Sequence, residues 1–222
     1  MAERPILFSA PMVRALLGGS KSQTRRVAKI GDWPERGVVG SFSPAPEEYA
    51  PEIFGAMLSN SRGAETLVPC PYGAPGDRLW VRETWAPAPP IAPLLRHVGA
   101  SPRPEPKALY RANPEQANLG VTWRPSVHMP RWASRITLEV TGVRVERVQD
   151  ISEEDARAEG IERLDGARHL LQPWRDYWTT HEVMGFSKAA TSFRSLWESI
   201  NGAGSWAANP WVWCLEFKLV TP

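Results

Sequence analysis

The densest chemistry in this chain lies in Gly19-Ser20-Lys21-Ser22-Gln23-Thr24-Arg25-Arg26. Gly18 and Gly19 free the backbone. Three cations and three hydroxyl or amide side chains then follow between Lys21 and Arg26. A turn of this composition offers backbone N–H groups and positive charge to a phosphate or a carbonyl. The same residues also suit a solvated turn after a helix C-terminus, where cations complement the helix dipole. Composition alone leaves both readings open.

Other candidates lie further along. Glu83 sits on a strand beside Trp85 and is a carboxylate that could line the same pocket. Trp85, Tyr110 and Trp132 are flat aromatics suited to stacking on a base, although core packing is the commoner use of such rings. His128, Arg131 and Arg135 flank Trp132 and read either as a basic strip for a phosphate backbone or as an ordinary strand edge. His97, His128, His169 and His181 show no ligand spacing, and Cys70 and Cys214 match no metal motif. The sequence therefore predicts no metal site and two free thiols.

These residues need elements to hold them. Ser9–Gly19 reads as a short helix: Ser9 can cap it, Pro11 suits the first turn, and Gly18-Gly19 ends it. Ser20–Val27 reads as a basic turn leading into a strand. Arg78–Trp85 alternates, with Leu79 and Val81 on one face and Trp80 and Arg82 on the other. Ala108–Ala112 reads as a short strand. Trp132–Val148 is one long strand, or two with a turn at Gly142. Ser152-Glu153-Glu154-Asp155 opens a helix in capping-box style, and Gly160 ends it. Ala189–Ile200 is the clearest helix, with Phe193, Leu196, Trp197 and Ile200 on one face. Trp211–Leu219 is a closing strand.

About five or six strands and three helices, with no strand–helix–strand rhythm, predict an α+β domain built on a small barrel with packed helices. The expected organisation is one domain over residues 1–222. Inserted irregular loops fall near 28–75, 86–106 and 162–188, the last carrying Trp174, Tyr177 and Trp178. Lys+Arg 26 against Asp+Glu 24 gives a formal charge of +2, so any nucleic-acid contact must come from a local patch. No apolar run approaches the ~20 residues of a membrane span. With no signal-peptide pattern at Met1–Ser9, the expected location is the cytoplasm.

The pattern Gly19-x-Lys21-x-x-Thr24-x-Arg26 after a short helix resembles the signature of ASCH domains, which belong to the PUA-like β-barrel superfamily. Gly76–Trp85, Ile136–Val148, the helix Ser152–Glu159 and the strand Trp211–Lys218 follow in that family's order. The chain resembles the longer ASCH proteins often carried by phages and prophages, over about half its residues. Some ASCH proteins are amidohydrolases of N4-acetylcytidine and related acylated cytidines, relying on a lysine, a threonine and a glutamate. The resemblance places the first two at Lys21 and Thr24. The family's glutamate, in the helix after the long strand, falls on Glu159, with Glu83 as the rival carboxylate.

Those roles make chemical sense. Amide hydrolysis needs a nucleophile, a proton carrier and a partner for the oxyanion. Thr24 could supply the hydroxyl. Lys21 could be its base if Arg25, Arg26 or desolvation lowers its proton affinity. Glu159 could orient Lys21 or protonate the leaving amine. The expectation is thus a cofactor-independent hydrolase of a modified cytidine-type nucleoside. Arg25, Arg26, Glu83, Trp85 and Tyr110 would contact the substrate. The alternatives are a module that binds single-stranded nucleic acid or a modified base without chemistry, or a ribonuclease. Oligomeric state is left open.

Overall fold

The computed structural model describes residues 1–28, 39–41, 55–59, 65–88, 108–165, 171–179 and 185–220. In chain order these residues form β1 (Glu3–Leu7), α1 (Ala10–Leu17), β2 (Gln23–Val27), β3 (Val39–Ser41), β4 (Gly55–Ser59), β5 (Glu65–Pro69), β6 (Arg78–Arg82), β7 (Trp85–Pro87) and β8 (Ala108–Tyr110). They continue with α2 (Pro114–Ala117), β9 (Thr137–Arg147), α3 (Glu153–Ala158), β10 (Trp174–Arg175), β11 (Gly185–Phe186), α4 (Ala189–Asn201) and β12 (Trp211–Val220).

The main sheet has five strands in the order β1-β6-β9-β12-β2. β1 and β6 run parallel, and every other neighbouring pair runs antiparallel. Alternation sets which faces are covered. Leu79 and Val81 of β6 turn into the core, while Trp80 and Arg82 are half-exposed. β12 departs from this rule: Val212, Trp213, Cys214 and Leu215 are all buried in succession. A strand lying between two others and covered on both faces carries apolar residues on both faces. The core gathers Ile6, Val13, Leu138, Val140, Val148, Phe193 and Trp213 around this sheet.

The architecture is mixed α+β with a mostly antiparallel sheet. β1 and β2 are the edges of the main sheet, and no closed barrel is seen among the described residues. Among those residues, no helix is long and apolar enough to cross a membrane.

Of the two readings of 132–148, the structure has the single long strand, β9, with no turn at Gly142. Gly142 lies inside β9 opposite Glu216, where the register slips and bulges the ladder. A Cβ on Gly142 would lie 2.8 Å from Glu216 Oε2, so the glycine admits that carboxylate. Other elements depart from the sequence-based expectation. The stretch 28–75, read as irregular, contains the three-stranded antiparallel sheet β3-β4-β5. β3 has three residues, too few to alternate, and β4 and β5 carry adjacent apolar residues (Ala56-Met57-Leu58, Leu67-Val68) rather than an alternating pattern. The stretch 162–188 likewise contains the two-stranded pair of β10 and β11. Most of the predicted loop 86–106, with His97, His169 and His181, lies outside the described residues. Trp132 lies not on a strand but in the 3₁₀ turn Arg131–Ala133.

Candidate functional site

The basic segment does not stay in a turn. Lys21 forms an isolated bridge with Glu159, and β2 begins at Gln23. Thr24, Arg25 and Arg26 therefore pair across to Leu215, Cys214 and Trp213 of β12. This pairing buries residues that sequence composition would place in water. Lys21, Thr24 and Arg25 are each 5% exposed.

Buried charges must find partners. Lys21 Nζ donates to Glu159 Oε2 at 3.0 Å, to the Glu159 carbonyl at 2.7 Å and to the Gln23 carbonyl at 2.7 Å. All three ammonium donors are thus used. The other carboxylate oxygen of Glu159 accepts from Arg25 Nη1 at 3.3 Å. Arg25 also donates through Nε to Glu146 Oε1 at 3.0 Å, through Nη2 to the same oxygen, and through Nη2 to Asp155 Oδ2 at 3.0 Å. Arg144 completes the network with bonds to Glu146 and Asp155. Burial pushes the Lys21 pKa below its ordinary value despite the opposing pull of the Glu159 carboxylate.

α3 delivers Glu159 to this place. Ser152 Oγ accepts from the Asp155 N–H at 3.0 Å, fixing the helix start. Glu159 is its C-cap, followed by Gly160 at φ +76°. Gly160 packs directly on Lys21: a Cβ there would lie 2.7 Å from Lys21 Cβ. The turn can come this close to Lys21 only with glycine at that position.

The pair forms the wall of a cavity of about 210 Å³, lined also by Phe8, Thr24, Arg26, Phe193 and Trp197. Phe8 offers a ring beneath two cations, with Lys21 Nζ 5.5 Å and the Arg26 guanidinium 5.1 Å from its centroid. Arg26 Nη2 donates to the Leu7 carbonyl at 2.5 Å. Two buried donors on residues of this lining, Arg26 Nε and Trp197 Nε1, have no hydrogen-bond partner among the described residues. Buried donors usually find acceptors, so these two are exceptions within the lining. Ile200, expected on the apolar face of α4, is 65% exposed yet lines the same cavity.

The remaining predicted site residues gather elsewhere. Glu83, Trp85 and Tyr110 do not line this cavity. Glu83 is 1% exposed and accepts from Arg135 Nε at 2.9 Å and Nη2 at 3.1 Å. Burial raises its pKa, with Arg135 opposing. Trp85 is 2% exposed and forms a small second core with Ala108, Met129 and Ala133. Tyr110 packs against that cluster, donates to the Ala133 carbonyl at 2.9 Å, and lies under Arg135 at 4.0 Å. Trp132 is 58% exposed and meets Trp85 edge-on. Arg131 is held by Glu3 rather than free for a phosphate.

Sequence reasoning did not single out Phe8, Trp197, Glu146 or Asp155 for the site. Trp197 reads only as part of the apolar face of its helix, and no motif marks Phe8. Glu146 and Asp155 are acids whose arginine partner lies 121 and 130 residues away. Comparison of the chain with models of protein families, with curated proteins and with solved structures found no match.

Proposed function

We propose that the chain is an ASCH-type, PUA-like domain whose Lys21–Glu159 cavity removes an acyl group from the N4 amine of a cytidine-type nucleoside. One observation carries this reading: a buried lysine–carboxylate pair and a threonine line one small cavity. Sites for small molecules run to roughly 300–1,000 Å³. A 210 Å³ cavity falls below that range, so it has room for no more than one base with its acyl group.

The steps follow from the residues present. Desolvation lowers the Lys21 pKa and so favours the neutral amine that the first step requires. Thr24 Oγ attacks the acyl carbon as its proton passes to Lys21 Nζ. The acyl C–N bond then breaks, and N4 takes a proton from the Lys21 ammonium. Water cleaves the acyl-threonine ester, releasing the carboxylic acid and restoring Thr24. Glu159, fixed between Lys21 and Arg25, holds the lysine in place.

A specific observation favours a second reading. All three donors of Lys21 are already taken by protein acceptors, as suits a lysine that shapes a base-binding cavity and performs no chemistry.

A chromatographic assay with N4-acetylcytidine separates the two. Hydrolysis predicts cytidine release by the wild type, reduced release by Thr24→Ser and none by Thr24→Ala. No release by micromolar wild-type enzyme over hours refutes hydrolysis of this compound. Calorimetric binding of the same nucleoside would then establish the second reading, and its absence would refute both.

A further inference from the structure

A second groove of about 550 Å³ shares Met12 with the first cavity and is lined by Ser20 and Gly160, the chain neighbours of Lys21 and Glu159. Its charge is unusual. Arg14, Arg157 and Arg163 line it, all three exposed, and no carboxylate among the described residues pairs with any of them. Elsewhere in the molecule Arg25, Arg131, Arg135, Arg144 and Arg175 each hold a carboxylate. Glu162 also lines the groove, but its carboxylate is bonded to Arg175 Nη1 at 2.6 Å.

The same groove has an aromatic wall. Trp174 is half-buried, with the Arg157 guanidinium 5.8 Å from its ring. Tyr177 stands beside it, its hydroxyl accepting from the Glu162 N–H at 2.7 Å. The wall is built by backbone pairing. Arg163 bridges Trp174, Leu164 N–H donates to the Pro173 carbonyl at 2.7 Å, and Arg175 N–H donates to the Glu162 carbonyl at 3.1 Å. The backbone pairing thus holds Trp174 in register with Arg163, while Arg14 and Arg157 project from α1 and α3.

Unpaired guanidinium groups recognise phosphate, and a fixed indole face takes a base by stacking. A volume of 550 Å³ lies within the range of small-molecule sites. We propose that this groove binds a phosphate-bearing nucleotide, with the base against Trp174 and the phosphate among Arg14, Arg157 and Arg163. A free nucleotide and one unit of a single strand present the same chemistry. The site is separate from the proposed hydrolytic cavity.

Fluorescence anisotropy of a labelled single-stranded oligonucleotide of about 10 nucleotides tests this, with competition by an unlabelled nucleoside monophosphate and by its nucleoside. The wild type should bind with salt-dependent affinity. Arg157→Gln/Arg163→Gln should flatten the slope of log affinity against log salt by about 1.4, from two lost phosphate contacts on a single strand. Trp174→Leu should weaken binding about 5- to 150-fold, the value of one stacked base. Thermal melts of the variants check that the fold is kept. Full displacement by the monophosphate, but not by the nucleoside, assigns a free nucleotide. Displacement by neither assigns the strand. Absence of binding by both oligonucleotide and monophosphate overturns the proposal, as does equal binding by the wild type and both variants. Neither ligand carries an N4-acyl group, so the outcome stands apart from the hydrolysis assay.

Discussion

Replacing Glu159 by glutamine tests how the buried network stores its charge. Glu159→Gln keeps the shape but removes the negative charge shared by Lys21 and Arg25. Arg25 still has Glu146 and Asp155. Lys21 is left with two carbonyls and an amide. Losing one member of a buried pair costs about 3–5 kcal/mol. Lys21 has an escape, however, because it can fold as the neutral amine. That route costs 1.36 kcal/mol for each pH unit below the ordinary lysine pKa of 10.5. The penalty is therefore capped at about 5 kcal/mol at pH 7 and at about 2 kcal/mol at pH 9. The sign follows from linkage: burial already lowers the Lys21 pKa in the wild type and loss of the Glu159 charge lowers it further, so the folded variant binds fewer protons than the folded wild type and its loss of stability shrinks as pH rises in this window. Urea denaturation of the wild type and Glu159→Gln at both pH values measures the difference. A loss below about 1 kcal/mol at pH 7, or an equal loss at both pH values, would refute the reasoning.

Two further perturbations probe the delivery of Glu159. Gly160→Ala forces a side chain into a left-handed conformation and onto Lys21 Cβ, so stability should fall by about 1–3 kcal/mol in urea titration. A neutral outcome would show that the turn readily moves away from Lys21. Ser152→Ala removes the α3 cap and should cost about 1 kcal/mol, whereas Ser152→Asp should retain most of it.

Much of the scaffold was legible because its elements carry local signals. The α3 start shows in Ser152 and its end in Gly160, and the α4 face shows in Phe193, Leu196 and Trp197. β6 shows in its alternation. β2 was half-legible. A strand after the turn was visible, but Lys21, Thr24 and Arg25 carry polar groups that composition assigns to solvent. They are buried because α3 and β12 cover them from 138 and 191 residues away, measured at Lys21–Glu159 and Thr24–Leu215. No local pattern encodes partners that distant. The meeting of Lys21 and Glu159 in one site came from the resemblance and not from any spacing. Glu83 shows the converse. Its nearness in sequence to Trp85 suggested one pocket with Lys21, yet Arg135 neutralises it in a separate cluster. Short strands such as β3 and β10 left no trace because two or three residues hold no period.

The strand order has a consequence in time. β2 lies at an edge of the main sheet and has β12 as its partner there. Val27 therefore waits for Val212 before its backbone is paired. At about 5–20 residues per second, a ribosome takes about 10–40 s to make the chain between them. Through that interval Thr24 and Arg25 stand beside no sheet. A chain halted before β12 would leave the backbone of β2 without its sheet partner, so the frame that holds Thr24 and Arg25 is completed only with the last strand of the sheet.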